Sequence, residues 1–63
     1  MGLNERQMTA IKLIKEKGMI SLSDIQAFYE ATTRKTLYRD LQALVDKELI
    51  QAKGDRKGRR YTL

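Results

Sequence analysis

Leu37, Leu41, Leu44 and Val45 recur at helical spacing in the second half of a 63-residue chain. At about 100° per residue they fall on one side of a helix. Thr33, just ahead of the run, is an N-cap residue type, so the spacing predicts a helix that starts there. Such a stripe must be buried, and a chain this short can build only one small core. It buries about 60% of the surface its unfolded form exposes, with a net stability on the order of 5 kcal/mol.

Two further helices are expected to supply the other side of that core. Asn4 is a good N-cap for a helix running to about Lys17, and Gln7 occupies the capping-box position. Leu3 and Met8 have the spacing of a hydrophobic staple over that first turn. Gln7, Ile11, Ile14 and Gly18 form one stripe flanked by Met8 and Ala10, and Gly18 stops the helix. Leu13 falls off the stripe, so the helix is either buried on two sides or leaves one apolar spot exposed. Met19-Ile20 has the makings of a very short strand. "SLSD" then reads as a second capping box, with Ser21 as cap and Asp24 reaching back. It opens a helix from Leu22 to about Tyr29, with Leu22, Ile25, Phe28 and Tyr29 turned inward. "EATT" is a short connection to the Thr33-capped helix, as a helix-turn-helix requires.

The outward face of the third helix has a distinct composition. Lys35, Tyr38, Arg39, Gln42 and Asp46 lie opposite the leucine stripe, and Arg34 and Thr36 belong to the first turn. Cations in a first turn oppose the helix macrodipole, so they serve the helix itself poorly. Arginine, lysine, tyrosine and glutamine on one helix face can reach phosphates and base edges from a major groove.

After that helix, "LIQAKGDRKGRRYTL" reads as two strands, Leu49 to Lys53 and Arg59 to Leu63, around a loop from Gly54 to Gly58. Glycines at both loop ends suit the positive φ angles of hairpin loops. Lys53, Arg56, Lys57, Arg59 and Arg60 accompany a single acid, Asp55, in this segment, and a projecting basic loop suits phosphate contact. The whole net charge of +5 lies in the second half. Residues 1–31 hold four cations (Arg6, Lys12, Lys15, Lys17) and four anions (Glu5, Glu16, Asp24, Glu30), whereas residues 32–63 hold nine cations against four anions. Asymmetry of this kind points to a polyanionic partner such as nucleic acid.

Other classes of function are disfavoured. With no cysteine there is neither a disulfide framework nor a thiolate metal site. With no histidine, the commonest general base and transition-metal ligand is missing. The eight carboxylates are scattered, and Gly54 and Gly58 lack the Lys-Ser/Thr that follows in a phosphate-binding loop. The chain is therefore expected to be no enzyme and to need no cofactor or metal. No apolar run approaches the roughly 20 residues of a membrane span and no signal-peptide pattern opens the chain, so a cytoplasmic protein without membrane contact is the expectation.

Helix, short strand, helix, helix and hairpin compose a mainly α (α+β) winged helix-turn-helix, expected to occupy residues 1–63 as a single domain. "TRKTLYRDLQALVDKELI" resembles the signature around the recognition helix of winged-helix bacterial repressors of the DeoR type. "LNERQ" and "KGRRYTL" are similar to the winged-helix domain at the C-terminus of some Fic-domain proteins. Putative bacterial regulators with a divergent ATPase-like domain carry a similar one. The resemblance implies that Thr33 caps the recognition helix, that Lys35-Thr36 stands for its Arg-Thr pair, and that Arg39-Asp40-Leu41 stands for its Arg-Asp-Leu. Gly58, Arg59 and Tyr61 match the second half of the wing. The chain departs from the pattern in three places. The turn before the third helix is one residue longer, with Glu30-Ala31 in place of a glycine. Thr32 stands where an apolar residue would staple the helix start. Glu48 replaces the glycine before "LI", which leaves the helix end without a low-strain cap.

The function expected from these features is sequence-specific binding of double-stranded DNA in a bacterial transcriptional regulator. Arg34, Lys35, Thr36, Tyr38, Arg39 and Gln42 would act from the helix, and Lys53, Arg56, Lys57, Arg59 and Arg60 from the wing. The alternative is a winged helix that binds protein or makes a homodimer, within a larger protein from which the chain is a piece; folds do not fix functions.

Overall fold

The computed structural model describes residues 2–55 and 58–63. Three helices are followed by a two-stranded antiparallel sheet: α1 (Glu5–Lys17), α2 (Leu22–Gln26), α3 (Arg34–Asp46), β1 (Gln51–Lys53) and β2 (Arg60–Thr62). The fold is therefore mixed α+β. Among the described residues, no helix is long and apolar enough to cross a membrane.

Each helix starts where its cap stands. Asn4 Oδ1 accepts the Gln7 N–H at 2.8 Å, and Gln7 Oε1 accepts the Asn4 N–H at 3.0 Å, closing the expected box. Asp24 Oδ2 accepts the Ser21 N–H at 2.8 Å while Ser21 Oγ accepts the Asp24 N–H at 3.4 Å. The Asp24 carboxyl lies below its ordinary pKa, chiefly through that bond to the Ser21 amide, with burial acting the other way and Lys17 assisting. Thr33 Oγ1 accepts the Thr36 N–H at 3.2 Å and donates to Thr36 Oγ1 at 3.0 Å.

The ends of α1 and α3 differ in chemistry. Gly18 closes α1 with a φ of 87°, as its lack of a side chain permits. Glu48 takes a φ of 62° beyond α3, where only a glycine or asparagine would sit without strain. Its N–H donates to Val45 O at 2.9 Å and the Leu49 N–H to Leu44 O at 3.0 Å. The Schellman closure is thus made without its glycine.

Ala10, Leu13, Ile14, Ile20, Ile25, Leu37, Leu41, Leu44, Ile50 and Tyr61 are buried and form one core. Leu3, Ile11, Leu22, Tyr29 and Val45 pack on its edge. Leu13 joins the core, so α1 is buried across a wider arc than its stripe suggests. Leu3 packs on the core edge, whereas Met8, its expected staple partner, is 54% exposed.

The second helix is shorter than its apolar spacing predicts. It ends at Gln26 instead of continuing to about Tyr29, and the next bonds, Phe28 N–H to Ile25 O and Tyr29 N–H to Gln26 O, are three-residue turns. Gln26 fixes this change of course: its Nε2 donates to Tyr29 O at 3.3 Å and to Thr32 O at 2.7 Å. Phe28, expected inside, is 59% exposed on this turn.

The strands are also shorter than read. The Leu49 N–H is spent on the end of α3, so pairing begins at Gln51. The register is Gln51 with Thr62, Ala52 with Tyr61 and Lys53 with Arg60. Met19-Ile20 contributes a single bridge, Ile20 to Tyr61, through bonds of 3.0 and 2.8 Å. Tyr61 is held from both sides and is 1% exposed. Gly54 has a φ of 87°, and a Cβ there would lie 2.8 Å from Gly58 O, so the hairpin loop admits no side chain at that position.

Candidate nucleic-acid interface

The solvent side of α3 carries the polar residues read from its wheel. Arg34, Lys35, Tyr38, Arg39 and Asp46 are exposed, and Gln42 is half-buried with its Nε2 donating to Asp46 Oδ1 at 3.2 Å. Thr36 is half-buried and engaged with Thr33 in the cap. No acid occupies the first turn of α3 and no base its last. Arg34, Lys35 and Asp46 thus all oppose the macrodipole, a placement the helix does not need for its own stability.

Tyr38 stands apart from the rest of this face. It is 42% exposed, and its hydroxyl accepts a hydrogen bond from Arg59 Nη1 at 3.3 Å. The bond spans 21 positions in sequence and connects α3 to the loop end of the hairpin, just before β2. Arg59 is half-buried between Tyr38 and the buried Tyr61. Its guanidinium pKa is raised further by the Tyr61 phenol, against desolvation, with Tyr38 adding to the effect. Conversely, burial pushes the Tyr61 phenol up while Arg59 pulls it back.

Arg34, Tyr38, Arg59 and Arg60 line one cleft of about 510 Å³, together with Ser21 and Ser23 at the start of α2. Lys35, Arg39 and Gln42 lie elsewhere on α3 and do not line it. Lys53 and Arg60 are exposed partners in the sheet. The structure thus divides the expected residues into a cleft group and a group on the open helix face. Arg56 and Lys57, expected at the loop tip, lie outside the described residues.

A second polar cluster fixes the inclination of α3, and sequence reasoning missed it. Asp40 forms a salt bridge with Arg6 and accepts from Asn4 Nδ2 at 2.9 Å. Gln7 Nε2 donates to the Asp40 backbone carbonyl at 3.1 Å. The capping box of α1 therefore doubles as a clamp on the middle of α3, beside Arg39. Gln7 on an otherwise apolar stripe was the one available signal, since a buried amide needs partners. Comparison with known proteins finds no family model, no curated protein and no solved structure that matches the chain.

Proposed function

We propose that the chain is a winged helix-turn-helix that binds double-stranded DNA, with α3 as the reading helix and the hairpin as the wing. The Arg59–Tyr38 bond carries this reading, because it ties the cationic hairpin to the outward side of α3. One duplex could then meet both. Lys35, Arg39 and Gln42 have the chemistry to read base edges, and Lys53, Arg59 and Arg60 suit phosphates. Binding and not catalysis is the role proposed, in a cytoplasmic bacterial regulator of the kind that the sequence resembles.

The test is the salt dependence of duplex binding. Contact with about four to six phosphates gives a log–log slope near −4 to −5. Random duplex is expected to bind in the micromolar range or more weakly near physiological salt. A slope flatter than about −2 would reduce the basic half to a solvated surface.

One observation favours a second reading, a protein-binding winged helix. Phe28, expected inside, is instead exposed on the turn between α2 and α3. Retained duplex affinity in Phe28→Ser would separate this surface from DNA binding.

A further inference from the structure

The cleft between α2, α3 and the hairpin has more room than a backbone phosphate needs. At about 510 Å³ it falls within the roughly 300–1,000 Å³ of small-molecule sites. Its lining combines two chemistries. Arg34, Arg59 and Arg60 all line this one concavity, and guanidinium forks suit phosphate oxygens in paired contacts. Arg59 Nε is shielded from solvent and has no hydrogen-bond partner among the described residues, while the Tyr61 phenol lies beside the same guanidinium. Among the described residues, no carboxylate lines the cleft. Asp24, which feels the charge of Arg60, is engaged with the Ser21 amide instead. The second chemistry is aromatic. Tyr38 lines the cleft, is held by its bond to Arg59 and is 42% exposed, and an aromatic side chain suits a planar partner.

We propose that this cleft binds a phosphorylated small molecule bearing a planar ring, of nucleoside-monophosphate size. Its phosphate lies among Arg34, Arg59 and Arg60, and its ring lies against Tyr38. The site shares Arg59 and Arg60 with the proposed duplex-binding face, and it stands whether or not the chain binds DNA.

Amide-shift titrations of the chain at constant ionic strength test this, using adenosine 5′-monophosphate, inorganic phosphate and adenosine in parallel. The mononucleotide is expected to shift residues 21–23, 34, 38 and 59–61 saturably, with a Kd of about 1 mM or tighter. Phosphate and adenosine should each bind at least about tenfold more weakly. Arg34→Gln and Tyr38→Leu, both at exposed positions, should each weaken the mononucleotide by about tenfold without lowering the melting temperature appreciably. Equal response to inorganic phosphate and mononucleotide would remove the ring's role and overturn the proposal. So would shifts spread evenly over Lys12, Lys15 and the other surface cations. A short duplex arm identifies the source of the phosphate: if it moves the cleft residues and the mononucleotide does not, the cleft serves a strand and the small-ligand site is refuted.

Discussion

Arg6 and Asp40, 34 positions apart, form a salt bridge that joins the first turn of α1 to the middle of α3. The pair does not act alone, because Asn4 also donates to Asp40 and Gln7 reaches its backbone carbonyl. Ion pairs with partial solvent access contribute little by themselves. The stiffness of this corner should therefore rest mainly on the buried amide of Gln7.

Gln7→Ala removes a buried side chain that donates to Asp40 O and accepts from the Asn4 N–H. Both groups lose a protein partner, and the expected cost is about 1–3 kcal/mol. Urea denaturation of the variant measures it. A change below about 0.5 kcal/mol would show that water replaces the amide and that the clamp is dispensable.

Glu48 offers the opposite sign. Its left-handed backbone costs roughly 1–2 kcal/mol for a residue with a Cβ, and a glycine there would relieve that. Glycine also loosens the unfolded chain, which takes back about 0.4–1 kcal/mol. Glu48→Gly should then stabilise the fold by about 0.5–1 kcal/mol. Thermal melting would reveal it, and a destabilised variant would mean that the Glu48 side chain makes contacts worth more than the strain.

These two positions show what was legible in the sequence and what was not. Asn4, Ser21 and Thr33 were readable because a cap and its amide partner sit three residues apart, within one turn. The missing glycine at residue 48 was readable only against the pattern of the families that the sequence resembles, where a glycine precedes "LI". The leucine stripe of α3 was legible from its period. The end of α2 was not: Gln26 reaches carbonyls three and six residues ahead, and no periodicity encodes that reach. Nor does any local rule pair Arg59 with Tyr38, so the division of the cations into a cleft and an open face came only with the fold.

Acid should weaken the fold partly through Asp24. Its carboxyl titrates lower when folded than when unfolded, so the unfolded chain binds the proton more readily. The stabilisation is present above the ordinary carboxylate pKa of about 3.9 and is lost as pH falls through the lowered folded value. Asp24→Asn cannot titrate, so its stability should fall less steeply than the wild type's over that acidic window. Denaturation curves collected from neutral to strongly acidic pH compare the two. Parallel curves would show that the carboxylate gains nothing from its bond to the Ser21 amide.

The roles proposed for helix and hairpin differ in a measurable way, because reading and gripping respond differently to sequence. Arg39 is exposed on α3, apart from the cleft and next to the Asp40 clamp that holds the helix. Lys53 is exposed on β1, opposite Arg60 in the sheet, where it can meet a phosphate. On a preferred site selected from a random duplex pool, Arg39→Ala should cost about 1–3 kcal/mol and narrow the gap between selected and random DNA. Lys53→Ala should weaken both by a similar factor and make the salt slope shallower by about one unit. A pool that yields no preferred sequence would leave α3 a backbone-gripping helix. If Lys53→Ala abolished the preference while Arg39→Ala left it intact, the hairpin would be the reader and the proposed roles would be reversed.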